Sequence, residues 1–305
     1  MELAGATVGV CAPSGWVRAD RIAAGIATLR EAGLAVKVGA SVHARMGYLA
    51  GGDRERAADL NAFLADPEVD LILAARGGFG ASRILSLLDL APLRARPKPI
   101  VGFSDITALH LAWARAGVPS VHGPVATDVS ELPGLLERLR RLAGPVAQPA
   151  DGPEMRTVVS GRAEGVLVGG NLSLLAAACG TPWQLAAEGA ILLVEDLRES
   201  PYRIDRMLTQ LAQAGVLDGV VGAVVGELVG CDAPPPPDGE EAVPQPSGYD
   251  VFAARFREIG IPCFAGLACG HGRRRLAIPL GLRARLDADA CALEILDSAA
   301  GWARA

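Results

Sequence analysis

The sequence predicts an α/β protein: an N-terminal domain built on a doubly wound parallel sheet, followed by a C-terminal mixed α+β domain. Three observations predict it. Short apolar strands alternate with helix-period segments over residues 1–125. Proline then punctuates a weakly periodic stretch, 126–161. A second set of strands and helices, with a different rhythm, fills 162–305.

In chain order, 7–12 reads as a strand, 18–32 as a helix and 35–39 as a strand. Residues 53–66 read as a helix, 69–75 as a strand, 80–88 as a helix and 99–103 as a strand. A helix led by Ser104 runs to Arg115, and 118–122 is another strand. Strands this short, apolar and separated by helices belong to a parallel sheet covered on both faces. Pro133, Pro145, Pro149 and Pro153 place the inter-domain connection.

In the second half, 162–168 and 190–197 read as strands with a helix at 171–178 between them. Residues 201–215 are strongly helical, with Ser200 as N-cap and Pro201 at the first helical position. A buried strand at 220–229 and a helix at 249–259 follow, and strands at 263–266, 275–279 and 282–287 finish the unit. Between them, 232–247 holds six prolines and several acids, the composition of a surface insertion.

With 305 residues the chain can bury two cores without staples. Half the residues are hydrophobic but only 4% are aromatic, so Ala, Leu, Val and Gly fill the interior. A net charge of −5 gives no electrostatic case for nucleic acid or an anionic membrane. Only Lys37 and Lys98 are lysines among 29 basic residues, and the arginines are scattered, which reads as coding bias. The six cysteines show no C-x-x-C and no paired spacing with the four histidines, so the expectation is free thiols and no metal or other cofactor. No leader pattern and no membrane-length apolar run is present, so the expected location is cytoplasmic.

Chemistry concentrates in Pro99-Ile-Val-Gly-Phe-Ser-Asp-Ile-Thr-Ala-Leu-His110. A strand ends, Ser104 and Asp105 turn the chain, and a helix begins. Such a turn exposes a serine hydroxyl at the carboxyl edge of a sheet, as in a nucleophile elbow. Ile106 stands where the second glycine of that motif would be, and by itself Ser104-Asp105 reads equally as a helix N-cap. The strand before it ends in Arg76-Gly77-Gly78-Phe79-Gly80 at the same sheet edge, where glycines let backbone N–H groups approach an oxyanion. The spacing fits neither a dinucleotide nor a phosphate loop.

A serine nucleophile needs a base. His43 reads as solvated, and His110 lies nearly two turns up the helix from Ser104. His122, at a strand end, and His271, in Cys269-Gly270-His271-Gly272, both remain open. The buried strand Ile191-Leu-Leu-Val194 delivers Glu195-Asp196 at its end, an acid with no capping duty because Ser200-Pro201 begins the next helix.

Together these blocks resemble the LD-carboxypeptidase family of serine peptidases, which includes murein tetrapeptide LD-carboxypeptidases and microcin C self-immunity proteins. The resemblance runs collinearly from Ala12-Pro13-Ser14-Gly15 through Arg76-Gly-Gly-Phe-Gly-Ala-Ser-Arg83, Gly102-Phe-Ser-Asp-Ile-Thr-Ala-Leu-His110 and His122-Gly-Pro124. It continues through Gly169-Gly-Asn-Leu-Ser173, Gly180-Thr-Pro-Trp183, Leu193-Val-Glu-Asp196 and Pro201-Tyr-Arg-Ile-Asp-Arg-Met-Leu208, and ends at Gly270-His271 and Leu280-Gly281. It implies Ser104 as nucleophile, Glu195 as acid, His271 as base, and the backbone N–H groups of Gly78 and Asp105 as oxyanion hole. The implied partner is a muropeptide tetrapeptide ending in D-alanine, cut in peptidoglycan recycling, and the implied assembly is a homodimer. The alternatives are a self-immunity hydrolase of peptidyl-nucleotide conjugates, a glutaminase-like or dipeptidase-like serine hydrolase, and a non-catalytic protein of the same two-domain build that binds muropeptide without turning it over. The insertion at 232–247 departs from the family pattern.

Overall fold

A computed structural model describes residues 3, 5–233 and 245–297 of the chain. The central part of the expected insertion, 234–244, lies outside the described residues. The chain divides into two compact units: Met1–Gly144 with Arg275–Arg283 and Ile295–Ala305, and Pro145–Arg274 with Ala284–Glu294.

The first unit carries a six-stranded sheet in the order Ala35–Val38, Thr7–Cys11, Leu71–Ala74, Ile100–Gly102, Ser120–His122, Ile278–Leu280. The first five strands pair in parallel and the last is antiparallel to its neighbour. Every residue of Leu71–Ala74 and Ile100–Gly102 is buried, as a sheet covered on both faces requires. Lys98 fixes the entry to the fourth strand. Its ammonium is buried and donates to the carbonyls of Phe63 (2.8 Å), Leu64 (2.9 Å) and Asp66 (2.5 Å), closing the C-terminus of helix Asp53–Ala65. The Lys98 carbonyl in turn accepts from the buried Trp113 indole at 2.7 Å.

The second unit carries an eight-stranded sheet in the order Gly144–Pro145, Ala292–Ile295, Arg283–Asp287, Arg162–Asn171, Ala190–Leu197, Gly222–Val229, Cys263–Ala265, Arg156–Val159. The run from Arg162–Asn171 to Cys263–Ala265 is parallel, and Arg156–Val159 closes it antiparallel. Helix Pro201–Gln213 buries Pro201, Ile204, Leu208 and Leu211, one stripe at helical spacing.

The structure differs from the sequence expectation at three places. The stretch expected as connection contains helix Leu132–Arg140, which buries Leu132, Leu135, Leu136 and Leu139; Pro133 sits in its first turn, where it starts a helix and breaks nothing. Residues 275–283, expected among the C-terminal strands, belong to the first unit, because Ile278–Leu280 pairs with Ser120–His122. Three apolar residues carry no mark of which sheet they will join. Ser200 occupies its N-cap position, but its side chain makes no capping hydrogen bond.

Candidate functional site

In the first unit, the loops after strands Thr7–Cys11, Leu71–Ala74 and Ile100–Gly102 are bound to one another through Asp105. Its carboxylate accepts from Ser14 Oγ at 2.6 Å and from the Ala81 N–H at 2.8 Å, and both Ser14 and Asp105 are buried. Burial raises the Asp105 carboxyl above its usual range, and the bonds from Ser14 and Ala81 oppose that. Asp105 therefore performs a structural task with its side chain, while its backbone N–H opens the helical segment 104–115. The leading N–H groups of such a segment have no acceptor within the helix.

Ser104 itself is not a capping residue. Phe103 holds the N-cap position, and Ser104 adopts φ +63°. A non-glycine residue in the left-handed region stores strain and turns its side chain out of the strand-to-helix path. Gly77 leaves room for it: a Cβ there would lie 3.0 Å from Ser104 Cβ. Gly78, the expected oxyanion donor, is in the same loop with φ +114°.

Arg56, which sequence reasoning did not single out, holds the loops from behind. It is fully buried on helix Asp53–Ala65, donates to the carbonyls of Pro13 and Gly80 (2.9 Å for the latter), and pairs with Asp53. An arginine in a helix whose neighbours are mostly charged carries no sequence signal of burial.

His122 is buried against the rings of Phe103 and His110. His110 Nε2 lies 2.9 Å from the Gly102 carbonyl, and burial pushes its pKa down to about 3. These two histidines form part of the packing under the Ser104 turn.

In the second unit, His271 Nδ1 meets Glu195 Oε2 at 2.7 Å. The Glu195 side chain is 0% exposed and that of His271 is 14% exposed. A carboxylate can only accept, so Nδ1 is the donor and Nε2 is the acceptor nitrogen of the neutral ring.

A local irregularity makes this pairing possible. The register between strands Ala190–Leu197 and Gly222–Val229 shifts between Val225 and Leu228, so Gly226 and Glu227 bulge opposite Glu195. The loop bearing His271 descends on that bulge, where the Glu227 N–H donates to the Cys269 carbonyl at 3.0 Å. A Cβ on Gly226 would lie 2.5 Å from Cys269 Sγ, and one on Gly270 (φ +106°) 2.4 Å from Glu195 Oε2. Neither position admits a side chain. The bulge's loosened backbone groups are taken up by Tyr249, whose hydroxyl donates to Gly226 O at 3.1 Å and accepts from Leu228 N at 3.3 Å.

Asp196 faces the other way. It accepts from Asn171 Nδ2 (2.9 Å), Ser173 N (2.9 Å) and Ser173 Oγ (2.7 Å), anchoring the start of helix Leu172–Ala177. Within each unit the structure thus brings the expected residues together: Ser104 and Asp105 beside the Gly77-Gly78 loop, and Glu195 with His271.

Comparison with known proteins places this pattern first in a class, the peptidases. Residues 8–123 match the LD-carboxypeptidase N-terminal domain and residues 164–286 the LD-carboxypeptidase C-terminal domain, so the chain belongs to the LD-carboxypeptidase family. A Streptomyces coelicolor protein classed with the carboxypeptidases is 42% identical over 294 residues, spanning 93% of this chain and 91% of its own. The murein tetrapeptide carboxypeptidase of Pseudomonas aeruginosa is 34% identical over 292 residues, spanning 92% of each. The crystal structure of muramoyltetrapeptide carboxypeptidase from Oxalobacter formigenes aligns with a TM-score of 0.80 at 30% identity, covering 96% of this chain and 99% of that one. Among the described residues no helix is long and apolar enough to cross a membrane.

Proposed function

We propose that the protein is a serine-type LD-carboxypeptidase that removes the C-terminal D-alanine from muropeptide tetrapeptides in peptidoglycan recycling. The observation that carries the reading is Ser104 held at φ +63° on a strand-to-helix turn. The substrate class is carried over from relatives named for murein tetrapeptide and muramoyltetrapeptide.

In this reading Ser104 Oγ attacks the carbonyl of the bond between the L-centre of the third residue and D-alanine. His271 Nε2 takes the serine proton and returns it to the leaving amine, while Glu195 holds the ring through Nδ1 and stabilises the imidazolium. The N–H groups of Gly78 and Asp105 receive the oxyanion. Water then releases the tripeptide from the acyl-enzyme by the same steps in reverse order of proton transfer. The test offers the purified protein tetrapeptides ending in D-alanine or L-alanine and a peptidyl-nucleotide conjugate, with products read by mass. Release of D-alanine alone is expected; cleavage confined to the L-terminated peptide or to the conjugate refutes the assignment.

A further inference from the structure

A cavity of about 280 Å³, lined by Val17, Arg18, Arg21, Arg76 and Thr127, lies at the carboxyl edge of the first sheet. Val17 and Arg18 follow strand Thr7–Cys11, and Arg76 follows strand Leu71–Ala74. Those two strands are neighbours, and the strand order runs outward from them in opposite directions, which marks the switch point where open α/β sheets bind ligands. Thr127 is tied there by its hydroxyl, which donates to Ala75 O at 3.1 Å. Helix Ala19–Glu31 begins at the same place and adds the positive end of its dipole.

The positive charge of the cavity is compensated in part: Arg21 acts electrostatically on the Asp128 carboxylate, next to Thr127. Arg18 pairs with Asp20 at 2.7 Å. Arg76 donates to the Trp16 carbonyl at 3.1 Å, and neither Arg76 nor Arg21 forms an ion pair among the described residues. Arg76 links the cavity to the Gly77-Gly78 loop along the chain. Arg76 precedes Gly77, whose Cα faces Ser104 Cβ, and a Cβ on Gly15 would sit 3.7 Å from Arg76 Nε.

We infer that the Arg76 guanidinium, with Arg21 beside it, receives the C-terminal carboxylate of the peptide substrate. The inference rests on the reading of Ser104 as nucleophile. An enzyme that removes one terminal residue must find a carboxylate about 4 Å of chain beyond the carbonyl it attacks. A guanidinium offers a planar fork of donors that fits a carboxylate in two parallel bonds. A carboxamide or a continued chain brings no charge there and forfeits the two charge-assisted bonds, which gives exopeptidase selectivity.

The test compares a tetrapeptide with a free C-terminal D-alanine and its C-terminal carboxamide, in turnover and in binding. Binding is measured by calorimetry on a Ser104→Ala protein, which separates recognition from chemistry. Arg76→Gln is expected to raise KM and Kd for the acid by roughly ten- to a hundredfold and to leave the amide nearly unchanged. Arg76→Lys should restore part of the loss, and Arg21→Gln should reproduce a smaller part. Equal binding of acid and amide by the Arg76-containing protein overturns the inference, as does an unchanged acid-to-amide ratio in Arg76→Gln. Acid-selective binding that depends on Arg76, without hydrolysis of either peptide by the unmutated protein, supports the carboxylate site and sinks the nucleophile reading alone.

Discussion

Glu195→Gln is the substitution that bears most directly on the proposed chemistry. The side chain is 0% exposed and its Oε2 lies 2.7 Å from His271 Nδ1. The amide is nearly isosteric, so the bulge, the loop and Gly270 need not move. What changes is charge. When the ring becomes an imidazolium in the transition state, the two charge centres lie about 4 Å apart, worth about 4 kcal/mol at an effective dielectric of about 20. At about 1.4 kcal/mol per decade, that loss lowers kcat by roughly three orders of magnitude. An amide that turns its NH2 toward Nδ1 also imposes the wrong tautomer, which lowers kcat further. The assay is release of D-alanine from the tetrapeptide, with a thermal melt to show that the fold is retained. A folded Glu195→Gln protein that keeps more than about a tenth of wild-type kcat refutes the role given to the pair.

Asp196→Asn should leave kcat within about tenfold but lower stability by about 1–3 kcal/mol in denaturant melts, because it disturbs the bonds from Ser173 and Asn171. Ser104→Gly should abolish hydrolysis yet melt no lower than wild type, since glycine adopts φ +63° without strain. Gly270→Ala, whose Cβ would lie 2.4 Å from Glu195 Oε2, should lose both activity and about 1–3 kcal/mol of stability. His110, held at about 3 when folded against about 6.5 when unfolded, adds stability at neutral pH that is lost as acidification takes the unfolded chain through its titration. A folded His110→Gln variant should therefore show a shallower fall of Tm between about pH 6.5 and 3.

The sheet scaffold was legible because its strands are short, apolar and interrupted by helices, a pattern that few architectures other than a parallel α/β sheet produce. What escaped lay where a local signal has two readings. Pro133 reads as a breaker or as a helix start, and only the leucine stripe behind it decides. Ile278–Leu280 could join either sheet, and pairing partners are a property of the folded chain. Ser104 was ambiguous as a cap or an elbow, because composition is silent on φ. In the structure Phe103 holds the N-cap position and Ser104 adopts the left-handed conformation.

For the candidate site, the sequence pointed to the candidate groups and left their supports unseen. Glu195 and Asp196 are adjacent acids on one strand, and alternation alone sends them to opposite faces. It could not say which face holds a histidine. That depends on the bulge at Gly226-Glu227, which gives the strand a kink opposite Glu195, and on Tyr249, which reaches from helix Gly248–Ile259 to satisfy the backbone groups the kink releases. A tyrosine near a helix start and two glycines in loops are ordinary residues when read singly. Their task is to let a buried carboxylate meet an imidazole without a side chain in between, and that requirement is visible only once both strands are in register. If the tyrosine hydroxyl supports the bulge in this way, Tyr249→Phe should lower kcat more than it raises KM, because it displaces the Glu195–His271 pair and touches no substrate. An unchanged kcat in the folded variant would show that the bulge holds its shape without that hydroxyl.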